Sequence, residues 1–238
     1  MAGRCAAAWC TAAGLWTGLT CAGWDAVADL GVRTVFDLPA AYERIGQATG
    51  AVRVGVDVVQ IPMWENGEPG TTLSDRVFSA TGRTPEQSVA AYATAKVAAY
   101  VAMVTAYAPG FGALIEGLSA PGTLPAVMHC AAGKDRTGLA AAIVLRMLGV
   151  CEAGVLADYV RSREGVSAAR VDRYRHRLEL SGVSLEQFAP VYAAHPPALL
   201  AALAAMTAGL GSVGGYLAGP GAVRPGVAES LRARLLAW

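Results

Sequence analysis

The chain has 238 residues, with 19 basic and 18 acidic side chains and a net charge of +1. It therefore lacks the strong basic field with which nucleic-acid-binding proteins meet their partners, and no nucleic acid is expected. Apolar residues make up 54% of it, but alanine supplies much of that share beside 28 glycines, a profile of an alanine-rich helical fold rather than of a membrane protein. The length suits one domain, residues 1–238, able to bury roughly three quarters of its unfolded surface.

Taken in chain order, Cys5 to Thr20 follows Arg4 and is mildly apolar. Thr11, Gly14, Thr17 and Gly18 break it, and no clear processing site follows, so it does not read as a signal peptide. Arg33 to Leu38 and Val52 to Met63 read as strands, the second alternating Val52, Val54, Val56 and Val58 until Pro62. Residues 65–83 are polar and glycine-bearing and read as a loop. Thr84-Pro85-Glu86-Gln87 is a capping box with proline at the first helical position. The helix it opens places Val89, Ala93, Val97, Val101 and Val104 near one face and ends at Pro109-Gly110. Tyr92, Tyr100 and Tyr107 on it are expected to be core or rim aromatics. Whether this helix, within 84–110, forms a lid or part of the scaffold is open.

Leu124 to Met128 is an apolar strand, and Leu139 to Leu148 is a helix ending near Gly149. Helices then dominate, at about 152–163, 168–181, 184–194, 197–209 and 226–237, the third opened by a second capping box at Ser184 to Gln187. The basic run Arg161, Arg163, Arg170, Arg173, Arg175 and Arg177 reads as a solvated face paired with Glu164, Asp172 and Glu179. Pro197 to Leu217 is apolar but carries four glycines, so a packed helical pair is expected and no integral membrane segment. The fold class is α/β: a small sheet flanked by helices, with a helix-rich C-terminal half and the ligand beyond the carboxyl end of a central strand. Five cysteines, three of them at 5, 10 and 21, do not make a disulfide framework.

Between the strand and the helix stands His129-Cys130-Ala131-Ala132-Gly133-Lys134-Asp135-Arg136-Thr137-Gly138. A phosphate monoester needs clustered donors without bulk, and backbone N–H groups leading into a helix N-terminus supply them. Ala131, Ala132 and Gly133 leave such a cradle open, and Gly133 can take backbone angles closed to other residues. Arg136 can give two parallel hydrogen bonds to phosphate oxygens. A thiol with a free pKa of about 8.5 is lowered at a helix N-terminus beside cations, which makes Cys130 a nucleophile toward phosphorus. Thr137 is placed to steady the sulfur, His129 to orient the loop, and Lys134 to add positive charge at the rim. Asp135 is the leading candidate general acid, followed by Glu65 and Asp57. Gly133-Lys134 is followed by Asp135 rather than Ser or Thr, so this is not a Walker loop, and no ligand spacing for a metal surrounds it. No metal and no cofactor are expected.

The pattern His-Cys-x-x-Gly-Lys-Asp-Arg-Thr-Gly resembles the signature of cysteine-dependent protein tyrosine phosphatases, in its atypical bacterial and fungal branch. Leu30 to Leu38 followed by Glu43, Tyr216-Leu217, and Leu231-Arg232 with Leu235-Leu236 are similar to further elements of that branch, so the resemblance spans residues 13–236. It implies Cys130 as nucleophile, Arg136 as phosphate clamp, Asp135 as favoured acid, and Ala131, Ala132, Gly133, Lys134, Thr137 and Gly138 as the substrate-binding loop. It also implies a phosphorylated protein, first phosphotyrosine, as substrate. Phosphoinositides are the alternative suggested by Lys134, and a phosphate-dependent binding module is a further one. The Trp-Pro-Asp loop of other tyrosine phosphatases has no counterpart here, and Cys10-Thr11 and Pro39 stand where the branch carries arginines. A reactive thiolate favours reducing surroundings, so the cytoplasm is the expected location, with signal-less export as the alternative by resemblance. The oligomeric state is open.

Overall fold

The computed structural model describes residues 9–11, 20–39, 55–63, 83–163, 172 and 174–236. Four short strands, β1 (Trp9–Thr11), β2 (Thr34–Asp37), β3 (Asp57–Gln60) and β4 (Ala126–His129), pair in parallel in the order β1-β4-β2-β3. The register sets Thr34 beside Ala126 and Asp37 beside His129. Parallel sheets are covered on both faces, and the alternation of strand side chains shows how. Val35 and Val127 pack with Trp24 of α1 (Cys21–Asp29), whereas Phe36, Ala126 and Met128 enter the main helical core. The ladder continues beyond β3, where the Ile61 N–H bonds to the Asp37 carbonyl at 2.9 Å and the Met63 N–H to the Leu38 carbonyl at 3.1 Å. Of the expected second strand, residues 52–54 lie outside the described residues, as do Glu43, Trp64, Glu65 and the expected loop as far as residue 82.

The capping box at Thr84 forms: its hydroxyl accepts from the Gln87 N–H at 3.3 Å while the Gln87 side chain accepts from the Thr84 N–H at 3.0 Å. It opens α2 (Pro85–Ala106). The buried face of α2 is not the expected valine face, of which only Val104 is buried. It carries Tyr92, Lys96 and Tyr100, spaced by four residues. Tyr92 and Tyr100 are thus core aromatics, as expected, and Tyr107 is partly buried. In this structure α2 packs along α8 (Pro196–Thr207) and forms a wall behind the loop that follows β4.

Pro109-Gly110 does coincide with the end of α2, but Pro109 lies in the first turn of a helix absent from the sequence reading, α3 (Ala108–Ser119). Its glycines weaken the helical signal and have a packing reason. A Cβ on Gly112 would stand 1.7 Å from the Gly221 carbonyl oxygen, and one on Gly117 would stand 2.6 Å from the Phe36 ring. After β4 come α4 (Asp135–Met147), α5 (Glu152–Arg161), α6 (Arg175–Leu180) and α7 (Leu185–Tyr192). Beyond α8 lie α9 (Val213–Ala218), which packs on α8 as the helical pair expected within Pro197 to Leu217, and α10 (Val227–Leu236). The Ser184 capping box forms as expected.

By length and composition alone, Pro85–Ala106 and Leu185–Thr207 would be apolar enough to cross a membrane. Here the first buries Lys96 on its inner face, and the second is divided into α7 and α8. Of the basic run, Arg175 pairs with Asp172 at the surface, through Nε at 2.7 Å. Arg163 instead donates to the Ala194 carbonyl at 3.2 Å, and Glu164, Arg170 and Arg173 fall outside the described residues.

Candidate active site

The loop after β4 sits at the carboxyl end of the sheet and runs straight into α4. Gly133 has φ +65°, a left-handed conformation that costs a residue with a Cβ roughly 1–2 kcal/mol. Gly138 lies one turn into α4, where a Cβ would stand 2.9 Å from the Tyr159 ring. Small residues here let α5 press its tyrosine against the loop.

Cys130 follows β4 directly and is 1% exposed. Burial alone would raise its thiol pKa. The Arg136 guanidinium and hydrogen bonding from Thr137 outweigh burial and the opposing Asp135 charge, so the thiol is lowered. The Thr137 side chain is itself buried beside the sulfur, among the groups that lower the thiol. Arg136 is half-buried, and its Nη1 donates to the Met63 carbonyl at 3.3 Å, so the extension of β3 helps aim it. Behind the cysteine, His129 Nε2 stands 3.4 Å from Asp37 Oδ1. Burial lowers the His129 pKa, Arg136 adds to this, and Asp37 opposes it, so the imidazole is neutral at pH 7. The His129–Asp37 pair thus sits at the ends of the neighbouring strands β4 and β2, directly before the cysteine.

Asp135 departs from expectation. Its Oδ2 is 2.6 Å from Lys134 Nζ, while its Oδ1 accepts from the Tyr100 hydroxyl at 2.6 Å and lies 3.7 Å from Lys96 Nζ. Burial by itself would raise this carboxyl. The Lys134 and Lys96 charges and the hydrogen bonds from Lys134 and Tyr100 overturn that and hold it far below the usual carboxylate range. These contacts favour the ionised form of Asp135, which would have to take up a proton before it could act as the general acid expected from the sequence.

Lys134 is also placed differently. It is not at the rim but 3% exposed, with its ammonium on Asp135 and 4.6 Å from the centroid of the Tyr192 ring. Asp57 is exposed on β3, at the far edge of the sheet from β1. Glu65 lies outside the described residues.

Sequence reasoning missed the polar wall behind Asp135. The His195 N–H donates to the Tyr159 hydroxyl at 3.1 Å, and Tyr159 and Tyr100 hydroxyls are 2.7 Å apart. With Tyr100 donating to Asp135, the chain of donors has one direction, from the start of α8 to the phosphate loop. Lys96 Nζ donates to the carbonyls of Val191, Tyr192 and Ala193 at 3.0, 2.9 and 2.6 Å. The signal available was the spacing of Tyr92, Lys96 and Tyr100, a charge set four residues from each of two aromatics on an apolar helix. Among the described residues no group of three or more His, Cys, Asp or Glu side chains could hold a metal ion.

Two known proteins are similar to this chain in sequence. Over 154 residues the chain is 29% identical to the triple specificity protein phosphatase PtpB of Mycobacterium tuberculosis, covering 59% of this chain and 56% of that protein. Over 99 residues it is 36% identical to a Cupriavidus necator protein named provisionally as a tyrosine-protein phosphatase, covering 42% of this chain and 36% of that one. The chain thus spans between about a third and somewhat over half the length of these relatives. The model of the tyrosine phosphatase family matches residues 13–237, nearly all of the chain, with the loop, strands β2, β3 and β4 and the helical wall just described inside it. The chain belongs to the tyrosine phosphatase family.

Proposed function

We propose that this protein hydrolyses phosphate monoesters, with phosphotyrosine in proteins as the first-choice substrate, through a phosphocysteine at Cys130. The observation that carries the reading is a deeply buried sulfur whose thiol is nevertheless lowered by Arg136 and Thr137. The sulfur attacks phosphorus as the bond to the leaving oxygen breaks, and the guanidinium and loop N–H groups hold the remaining phosphate oxygens. Water then attacks the phosphocysteine and releases inorganic phosphate. Asp135, already a carboxylate, suits removal of a proton from that water.

The ionised Asp135 also favours the substrate class. A tyrosine phenol has a pKa of about 10 and leaves as phenolate far more readily than a serine alkoxide, so it depends less on a protonated acid. Depth agrees with this, because a sulfur that is 1% exposed suits a phosphate carried on a long aryl side chain. The case for phosphoinositides rested on a free charge at Lys134, and that ammonium is 2.6 Å from Asp135. Glu65 remains the other acid the sequence offers.

The test is hydrolysis of p-nitrophenyl phosphate in the presence of EDTA, alongside Cys130→Ser. Turnover without metal that disappears in the variant supports the reading; no turnover by the pure protein, or undiminished turnover by the variant, defeats it. Faster hydrolysis of phosphoserine than of phosphotyrosine peptides would remove tyrosine from first place.

A further inference from the structure

The chain contains two lysines, Lys96 and Lys134, against 17 arginines. They stand far apart in sequence, on α2 and in the phosphate loop, yet both ammonium groups converge on the Asp135 carboxylate, at 3.7 and 2.6 Å. An ammonium is a compact charge with three rotatable donors, whereas a guanidinium is a planar fork. At Lys96 the geometry demands the former. Nζ is buried, meets three successive carbonyls at the end of α7, and still faces Asp135.

We propose that Lys96 is a positioning residue for the candidate nucleophile: its buried ammonium, fixed by the end of α7, compensates Asp135 and shields the Cys130 sulfur from that carboxylate's charge. The proposal rests on the reading of Cys130 as a thiolate nucleophile. Its physical basis is that a carboxylate beside a thiol disfavours the thiolate, and the Asp135 charge does act upward on Cys130. Two cations on that carboxylate cancel most of the effect. Burial draws the Lys96 pKa down to about 7 and the Lys134 charge pushes the same way, while Asp135 opposes both. The three carbonyl acceptors favour the charged form as well. The other titratable groups of this wall include Tyr92 and Tyr100 on α2 itself, Tyr159 on α5, and His195 and Arg163, whose charges interact with Lys96 or its neighbours. Tyr100 and Tyr159 are raised by burial and stay neutral, and His195 is lowered, so Lys96 and Lys134 supply the positive charge on Asp135.

The experiment follows the pH dependence of Cys130 alkylation by iodoacetamide, read by mass spectrometry on the peptide that carries it, in the full chain. Lys96→Met is expected to raise the alkylation midpoint by roughly half a pH unit, about threefold slower labelling on the acid side. The same substitution made in Asp135→Asn should leave the midpoint where Asp135→Asn alone puts it. A purely structural lysine would lower the melting temperature without moving the midpoint. An unmoved midpoint in Lys96→Met, or a shift that persists in the Asp135→Asn background, overturns the proposal. Should Lys96→Met not fold, lysine labelled with 15N gives two Nζ signals in the whole chain. The Lys96 signal must then shift on Asp135→Asn, and an unchanged signal overturns the proposal. A wild-type midpoint near 8.5 would instead strike at the thiolate reading itself.

Discussion

At the scale of single residues, sulfur and guanidinium make separable contributions. Cys130→Ser removes the nucleophile and is expected to abolish turnover while leaving phosphate binding, which a vanadate or phosphate titration would detect. Arg136→Lys keeps the charge but loses the planar fork. It is expected to lower kcat/KM for p-nitrophenyl phosphate by roughly 10²–10³-fold, and a loss under tenfold would contradict the clamp. The loop was legible in the sequence because its chemistry is local: Cys130 to Thr137 are consecutive, and a strand and a helix frame them. The charge state of Asp135 was not. Lys134 beside it is only part of the cause; Lys96 and Tyr100, which lie 39 and 35 positions away, add to it and reach Asp135 only through the fold.

At the scale of elements, close approach explains what sequence patterns concealed. Gly138→Ala would place a Cβ 2.9 Å from the Tyr159 ring, pushing α5 off the loop and disturbing the tyrosine that hydrogen-bonds Tyr100. Its expected signature is a fall in activity larger than its fall in melting temperature; a neutral substitution would show that the ring yields freely. Gly112→Ala meets backbone rather than a side chain, 1.7 Å from the Gly221 oxygen, so it is expected to lower stability without a specific effect on the site. The same contacts made α3 hard to read. Its glycines and Pro109 look like loop sequence, and the need for them appears only when α3 meets Phe36 of β2 and the turn after α9. The capping boxes at Thr84 and Ser184, by contrast, are complete within four residues and formed as read. Thr84→Ala should cost about 1 kcal/mol in denaturant unfolding.

At the scale of the molecule, the sheet fixes the back of the site and the helical wall fixes its charge. β2, β3 and β4 bring Asp37, Met63 and Cys130 to one end of the sheet, while α2, α5 and the start of α8 converge behind α4. This coupling has a consequence for acid stability. Asp135 is ionised in the fold far below the pH at which the unfolded chain takes up its proton, near 4. Its contribution is therefore full above about pH 4 and drains away as pH falls through the folded value. Buried His129, lowered from the ordinary histidine value, adds a loss that begins as pH drops below about 6.5, because the unfolded chain binds that proton first. Stability measured by urea unfolding should fall from pH 7 toward pH 3, and Asp135→Asn should flatten the lower part of that slope. An unchanged slope would show that the carboxylate is not held ionised.

The most direct measurement is chemical capture of the covalent intermediate. Protein mixed with a phosphotyrosine peptide, quenched in acid within milliseconds and digested, should show a phosphate on the peptide carrying Cys130 and none in Cys130→Ser. Turnover with no phosphate on that cysteine, or with phosphate on another side chain, would contradict the account.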